Sequence, residues 1–176
     1  MLEIAVSAEP CWPGDTDWDA LAARAVNAAI TATPHGALAA AAAMVEVSVR
    51  LADDAEVRAL NRDYRGKDAA TNVLSFSMVQ PDLIAIVCAN SDDGEVLLGD
   101  VVLAHETCTA EAVDKGISLA DHAAHLIVHG TLHLLGYDHI DDHAAEAMEQ
   151  IEQDVLRQMG LHNPYHDQED QNTDYA

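Results

Sequence analysis

The sequence predicts an α+β fold in a single domain, with one mixed sheet and helices packed on it. A strand and a helix come first, several strands follow, and several helices end the chain. A chain of 176 residues is long enough to bury one substantial core, and no segment rich in glycine, proline or serine divides it. We therefore place the domain at residues 1–160 and expect the acidic segment 161–176 to be a disordered tail.

The first half of the chain is predicted to alternate between strands and helices. Asp15 or Thr16 can cap the first helix, and Pro34 follows its end. The segment Met44–Leu51 alternates apolar and polar residues, as a half-buried strand does. The predicted elements here are a strand at 2–6, a helix to about 31, a strand at 44–51, a helix from 53 to about 62 and a strand at 72–78.

The second half is predicted to be mainly helical. An apolar run from Leu83 to Cys88 does not indicate one type of element, and Ser91–Gly94 is typical of a turn. A strand follows, with a break expected at Gly99–Asp100, and Gly160 is expected to cap the last helix. The predicted elements here are a strand at 95–104 and helices at about 107–115, 119–135 and 142–159.

The charge of the chain is strongly negative, with 31 acidic and 8 basic residues and a net charge of −23. Such a charge argues against general affinity for nucleic acid, because phosphate contacts need lysine and arginine. Three cysteines without ligand-like spacing indicate free, buried thiols in a reducing compartment. The chain has no predicted signal peptide and no apolar run long enough to span a bilayer, so we expect a cytoplasmic protein.

Half of the basic residues lie within ten positions of one another. They are Arg58, Arg62, Arg65 and Lys67, and only Asp63 opposes them within that window. One interpretation is a substrate-binding patch. The other is an exposed helix face that forms ion pairs with the acidic residues just before it, Asp53, Asp54 and Glu56.

The segment His129–His139 carries the strongest functional pattern. His129 and His133 lie one turn apart on the same helix face, and Gly136 can end that helix and return His139 towards them. Three imidazoles with one open position are a typical ligand set of catalytic zinc, so we predict one Zn²⁺ per chain. The spacing matches the long zinc-protease motif, except that Gly130 replaces the glutamate that serves those enzymes as general base.

Other histidines lie on or near the same helix and leave alternatives open. His125, His129 and His133 form a rival ligand set, but this set spans about two turns and leaves His139 unexplained. His125 is better interpreted as a residue that supports the ligands or lines the cleft. Asp138 and His143 are candidates for proton transfer, and each could equally orient a ligand or cap a helix.

A second motif precedes the strand at 72–78 and reads Tyr64-Arg-Gly-Lys-Asp68. It is interpreted as a turn that leaves a helix and holds two cations on a short segment. An arginine at such a place can bind phosphate through two hydrogen bonds, which lysine cannot. If the following strand borders the histidine helix, Arg65 would lie over the metal cleft and neutralise charge on a phosphodiester in the transition state.

Together these motifs closely resemble the bacterial YbeY family. The resemblance rests on His-Gly-x-Leu-His-Leu-x-Gly-Tyr-Asp-His, on Tyr-Arg-Gly-Lys-Asp with Thr-Asn-Val-Leu-Ser-Phe, and on Leu98-Gly99-Asp100 between them. It implies a zincin-like metal helix in a zinc-dependent hydrolase domain, with His129, His133 and His139 as ligands. It also implies that Arg65 matches the family's functionally important arginine, and we assign Arg62 and Lys67 to substrate binding.

The function implied by the resemblance is that of a single-strand-specific endoribonuclease. It would process ribosomal RNA at the 3′ end of the small-subunit RNA and act in ribosome quality control, with the ribosome or small-subunit factors as partners. Two alternatives remain at this point. One is a metalloprotease-like hydrolase, which the absence of the glutamate disfavours, and the other is a ribosome-associated binding factor with structural zinc.

Overall fold

A four-stranded mixed sheet forms the centre of the structure, a computed structural model that describes residues 1–40, 43–84, 86 and 95–161. Its strands lie in the order β1-β2-β4-β3. β2 pairs in parallel with β1 and β4, whereas β3 pairs antiparallel with β4 and lies at one edge. The strands are β1 Leu2–Ala8, β2 Met44–Ala52, β3 Val73–Ser77 and β4 Glu95–Ala104.

The helices divide between the two faces of this sheet. The α-helices are α1 Trp18–Thr31, α2 Asp54–Arg65, α3 His105–Lys115, α4 Leu119–Leu134 and α5 Asp142–Gln158. Helices α1 and α4 pack together on one face and enclose the larger core, which includes Ile30, Val47 and Leu126. Helix α2 covers a smaller apolar cluster around Leu74 and Val102 on the other face. The α+β class and the mixed sheet predicted from the sequence are confirmed.

Helix α2 is longer than the sequence indicated, and this moves two residues of the second motif. Asp53 caps its first turn by accepting from the Glu56 N–H, and the helix runs to Arg65 rather than Arg62. Gly66 ends it with φ +71°, a left-handed conformation that favours glycine. Tyr64 and Arg65 therefore lie on the last helical turn and not in the turn that follows.

Strand β4 is continuous through the break that was predicted at Gly99–Asp100. The pairing with β2 changes register there, since Glu46 pairs with Leu97 and Val47 with Gly99. Gly99 is required at this point, because a Cβ would lie 2.4 Å from the Phe76 carbonyl oxygen. A register shift of this kind places Leu98 and Val101 in the same core.

The histidine helix, α4, is buried over most of its length and lies against β3 and β4. Ser118 caps its start by accepting from the Asp121 N–H. After Leu135 the chain turns at Gly136 with φ +100°, as predicted, and a Cβ there would lie 2.6 Å from the ring of Pro81. This turn brings the chain back towards the helix end.

Several smaller predictions need correction. Asp17, not Asp15 or Thr16, caps α1 by accepting from the Ala20 N–H, and α3 begins at His105, two residues early. Cys108 is buried as predicted, but Cys11 is exposed. The predicted turn 91–94, the site of Cys88 and nearly all of the predicted tail lie outside the described residues. None of the described helices is both long and apolar enough to span a bilayer.

Candidate metal centre

The structure brings together the three histidines of the first motif. His129 and His133 lie one turn apart on α4, with their Nε2 atoms 3.0 Å from each other. His139 lies on the segment after Gly136. The centre of its ring is 5.4 Å from the ring centre of His133 and 6.2 Å from that of His129. His129 is buried, His133 is partly buried and His139 is exposed. The three imidazoles thus form a group that is open to solvent on one side.

The buried carboxylate of Glu152, on α5, fixes the orientation of His129. Its Oε1 lies 2.5 Å from His129 Nδ1, and its Oε2 lies 3.2 Å from His125 Nε2. Because an ionised carboxylate only accepts hydrogen bonds, His129 Nδ1 carries the proton and donates it. In a neutral imidazole with its proton on Nδ1, the lone pair lies on Nε2, which faces His133 and is the atom that binds a metal.

The distance between His129 and His133 fits a tetrahedral metal ion. Zinc–imidazole bonds are about 2.0–2.1 Å long, so two ligand nitrogens on one zinc lie about 3.3 Å apart. The 3.0 Å between His129 Nε2 and His133 Nε2 is close to that spacing. Movement of the exposed His139 ring would complete a set of three ligands. The imidazole donors and the spacing of His129 and His133 therefore fit zinc.

Protonation states at the centre also suit metal binding. Burial, together with the imidazoles of His129 and His139, lowers the pKa of His133 to about 4. His133 is therefore neutral at physiological pH. Burial would raise the pKa of Glu152, but hydrogen bonds from His125 and His129 outweigh it and hold this pKa well below its usual range. Burial also lowers the pKa of His125, which shares the ionised carboxylate of Glu152 with His129.

Glu152 was not identified in the sequence analysis, although the sequence contains a signal for it. It lies on the apolar stripe of α5, with buried Met148 four residues before it and buried Val155 three residues after it. A glutamate in such a stripe is rarely fully buried without a partner. This residue is 0% exposed, so the stripe position itself points to partners inside the protein.

Gly130 explains why the glutamate of the zinc-protease motif is missing. A Cβ at this position would lie 2.7 Å from Val101 Cγ1 on β4. The residue after His129 therefore faces the sheet and not the open side of the histidine group. No side chain at position 130 reaches the metal centre without displacing the strand beneath it.

The remaining histidines and Asp138 have other surroundings. His122 is fully buried and lies 2.9 Å from Glu111 on α3, while its Nδ1 has no hydrogen-bond partner among the described residues. Asp138 accepts a hydrogen bond from the Ile140 N–H and so shapes the segment that carries His139. His143 is exposed in the first turn of α5. His125 lies next to Glu152, in a supporting position.

The basic cluster is divided by its contacts. Arg58 pairs with Asp68 and Arg62 with Asp63, so the ion pairs suggested with Asp53, Asp54 and Glu56 are wrong. Instead, Asp53 caps α2 and Asp54 accepts a hydrogen bond from Thr107. Glu56 pairs with Arg50. Such exposed pairs contribute little stability. Within the described chain, neither Arg65 nor the exposed Lys67 pairs with a carboxylate.

Arg65 lies at the free edge of the sheet. Its guanidinium donates to the Ser75 carbonyl oxygen, 3.2 Å away, and lies 5.9 Å from the centre of the Phe76 ring. The backbone of Asn72 and Met78 pairs with β4, and by the alternation of an antiparallel ladder the Ser75 carbonyl faces outward. β3 borders α4, as the sequence argument required. Contacts among the described residues do not join Arg65 directly to the three histidines.

A second group of metal-ligating side chains lies at the start of α3. The ligand atoms of Cys11, His105 and Glu106 lie within 4.8 Å of one another. Burial and the negative charge of Glu106 raise the pKa of the Cys11 thiol, which disfavours the thiolate that binds metals. Cys11 and His105 are far apart in sequence, and no spacing rule connects them. This group is therefore a weaker candidate for a cation than the three histidines.

Known proteins resemble this chain over nearly its full length. The sequence model of the family described as Endoribonuclease YbeY matches residues 15–160. A protein named Endoribonuclease YbeY from Rhizorhabdus wittichii is 61% identical over 165 residues, which cover 94% of this chain and 97% of that protein. The protein of the same name from Sphingopyxis alaskensis is 60% identical over 169 residues, or 96% of this chain and all of that one.

The fold also matches a solved structure. The solution structure of TM1509 from Thermotoga maritima superposes with a TM-score of 0.53, at 20% identity, and covers 97% of this chain and all of that one. At this identity the likeness concerns the fold alone. The family match spans both motifs and the histidine centre. The two relatives are 61% and 60% identical over nearly the whole chain, which supports the same family. The chain belongs to the YbeY family of endoribonucleases.

Proposed function

We propose that the protein is a zinc-dependent, single-strand-specific endoribonuclease of ribosomal RNA. The observation that carries the proposal is the convergence of His129, His133 and His139, with the buried carboxylate of Glu152 behind His129. Family membership supplies the reaction, which is hydrolysis of an RNA phosphodiester. The three histidines supply a place for the metal that this reaction uses.

His129, His133 and His139 would hold the zinc ion. When bound, zinc supplies a Lewis acid and an activated water at neutral pH, without a neighbouring glutamate. The protein itself contributes the neutral state of His133 and the fixed tautomer of His129. The exposed side, next to His139, leaves room for an RNA strand.

Arg65 is proposed to bind the phosphate on which charge develops during cleavage. Its charge has no carboxylate partner among the described residues, and it lies at the free edge of the strand that borders α4. A guanidinium forms two parallel hydrogen bonds with a phosphate, and such bonds strengthen as negative charge grows. Lys67, two residues further on, and Arg62 would bind neighbouring phosphates, although Arg62 must first exchange its contact with Asp63.

The proposed substrate is precursor ribosomal RNA, cleaved near the 3′ end of the small-subunit RNA. The proposal includes a role in ribosome quality control, small-subunit factors as partners and a cytoplasmic location. A net charge of −23 supports a partner-dependent enzyme, because general attraction to RNA is weak for such a chain. The domain would comprise residues 1–160, with 161–176 as an acidic tail.

Cleavage of a labelled single-stranded RNA from this region tests the proposal. Zinc-loaded protein should cut it, whereas His133→Ala should not. Arg65→Glu should also lose cleavage while it keeps zinc, and Arg157→Glu is the matched control, since Arg157 is exposed at the end of α5. Equal cleavage by the protein and His133→Ala would indicate a contaminating nuclease and contradict the proposal. Retained cleavage by Arg65→Glu would remove Arg65 from the mechanism.

A further inference from the structure

A cavity of about 460 Å³ lies on the sheet face covered by α2, next to Arg65. The last turn of α2 forms one wall, and strands β3 and β4 form the floor. Most of its surface comes from apolar side chains, and two lining residues are charged: Asp100, and Arg50, which is paired with Glu9 and Glu56. The residues that matter here are Leu60, Tyr64, Phe76, Met78, Asp100 and Val102.

Two aromatic rings define this cavity. Tyr64 and the only phenylalanine of the chain, Phe76, lie with their ring centres 5.7 Å apart at an angle of 64°. The side of Tyr64 away from Phe76 faces solvent, and 73% of this residue is exposed. Met78 beside them is also exposed. An exposed apolar group of this kind, in a protein with few aromatic residues, indicates a binding surface.

The charge next to these rings suits a nucleic acid strand. Arg65 lies over the Phe76 ring, and among the described residues it donates only to a neutral carbonyl, at Ser75. Its positive charge is therefore available to the phosphate that adjoins a base stacked on these rings. Unpaired bases stack on aromatic side chains, and this binding does not depend strongly on sequence.

Asp100 adds a polar contact in the wall of the cavity. It is the cross-strand neighbour of Phe76 on β4. Within the described part of the chain its carboxylate makes no hydrogen bond or ion pair. An ionised carboxylate only accepts, so it would favour a base that presents N–H donors on its pairing edge. Guanine presents two adjacent donors there and uracil presents one.

We infer that this cavity, bounded by Tyr64, Phe76 and Asp100, is a subsite for one unpaired nucleobase of single-stranded RNA. The inference rests on the proposed function and specifies how the substrate is recognised. Tyr64 provides the stacking surface, Asp100 accepts from the edge of the base, and Arg65 binds the adjoining phosphate. A base within a duplex is stacked and paired, so it cannot enter, which gives a physical reason for single-strand specificity.

Binding of a fluorescent single-stranded RNA to the full chain tests this subsite. Tyr64→Ala should weaken binding about tenfold or more, while Tyr64→Phe, which keeps the ring, should bind as the unaltered protein does. Val113→Ala is the matched control, because Val113 is an apolar residue on α3 with a similar exposure, 74%. In steady-state cleavage, Tyr64→Ala should raise KM and change kcat little.

Several outcomes would overturn the inference. Unchanged affinity in Tyr64→Ala, or an equal loss in Tyr64→Phe, would show that the ring is not a stacking surface. If a guanine-to-uracil exchange in the RNA changes its affinity equally for the protein and Asp100→Asn, Asp100 does not read the base. Cleavage that depends on His133 but not on Tyr64 would reject the subsite and leave the nuclease proposal standing. An RNA that is neither bound nor cut would reject both.

Discussion

The carboxylate of Glu152 holds the imidazole of His129 in one tautomer before any metal is bound. It is fully buried, and its two oxygens accept from His125 and His129. A carboxylate behind a ligand histidine raises the basicity of that ligand and fixes its ring plane. Glu152 is thus expected to act on metal affinity through His129, without contact to the RNA.

Replacement of Glu152 by glutamine should weaken zinc binding about tenfold to a hundredfold. The amide keeps the shape of the side chain but removes the charge that His129 Nδ1 donates to. Competition for zinc with a chelator measures the effect independently of cleavage. Glu146→Gln, an exposed change on the same helix, is the control. Equal zinc affinity in Glu152→Gln and the control would contradict the role of Glu152.

Gly130 is required by packing, and this can be tested on stability alone. Alanine there has a helix propensity better by about 1 kcal/mol, but its Cβ would lie 2.7 Å from Val101. We expect Gly130→Ala to lower the free energy of unfolding by about 1–3 kcal/mol, because the clash outweighs the gain. Urea unfolding measures this, with Gly14→Ala as control, since no atom lies within 4 Å of the Cβ there. If Gly130→Ala were more stable than the unaltered protein, β4 would have moved to accept the Cβ, and packing would not require glycine here.

Between elements, Glu111 ties α3 to α4 and to the start of β3. It accepts hydrogen bonds from His122 and from the side chain of Asn72. Burial would raise the pKa of Glu111, but these hydrogen bonds outweigh it and lower the pKa below its ordinary value of 4.5. A carboxyl group with a lowered pKa stabilises the fold above its unfolded pKa, and this stabilisation is lost as the pH falls through the folded pKa.

Replacement of Glu111 by glutamine should therefore destabilise the protein in a pH-dependent way. At pH 7 we expect a loss of about 1–3 kcal/mol, the usual cost of removing one partner of a buried charged hydrogen bond. The difference from the unaltered protein should shrink as the pH falls from 4.5 through the lower folded pKa, at which Glu111 takes up a proton in the folded protein. Denaturant unfolding at several pH values measures it, with the exposed Asp114→Asn on α3 as control. A difference that grows towards acid pH would have the wrong sign.

At the scale of elements, local patterns predicted much of the structure. The alternation in Met44–Leu51 and the spacing of His129 and His133 are short-range features, and both elements appear where expected. The predicted end of α2 was too early because the polar residues after Arg62 were interpreted as a turn. Gly66, which caps the helix in a left-handed conformation, marks its actual end. Glu152 was missed because its partners come from the packing of α5 on α4, which no local pattern expresses.

At the scale of the whole molecule, the negative charge limits how RNA can bind. Among the proposed contacts with RNA, only Arg65 and Lys67 lack a carboxylate partner within the described residues, while Arg58 and Arg62 are paired. Binding should then depend more on the aromatic rings than on phosphate contacts. The net charge can be predicted from the sequence. Which basic residues of the cluster are paired depends on the carboxylates that the fold brings next to them.

The dependence of RNA affinity on salt tests this picture. Two phosphate contacts on a single strand, or three if Arg62 leaves Asp63, predict a slope of about −1.4 to −2.1 for the logarithm of the association constant against that of the salt concentration. Titration of a short single-stranded RNA over a range of sodium chloride concentrations gives this slope. A slope of about −4 or steeper would require more cationic contacts than the structure offers and would contradict the account.

The central claim is that His129, His133 and His139 hold one zinc ion with an open position. A crystal grown with zinc, measured at the zinc absorption edge, tests it most directly. The account predicts one strong anomalous peak within bonding distance of the three imidazoles and no fourth protein ligand. A peak at Cys11, His105 and Glu106 instead, or a fourth side chain that closes the histidine site, would contradict it.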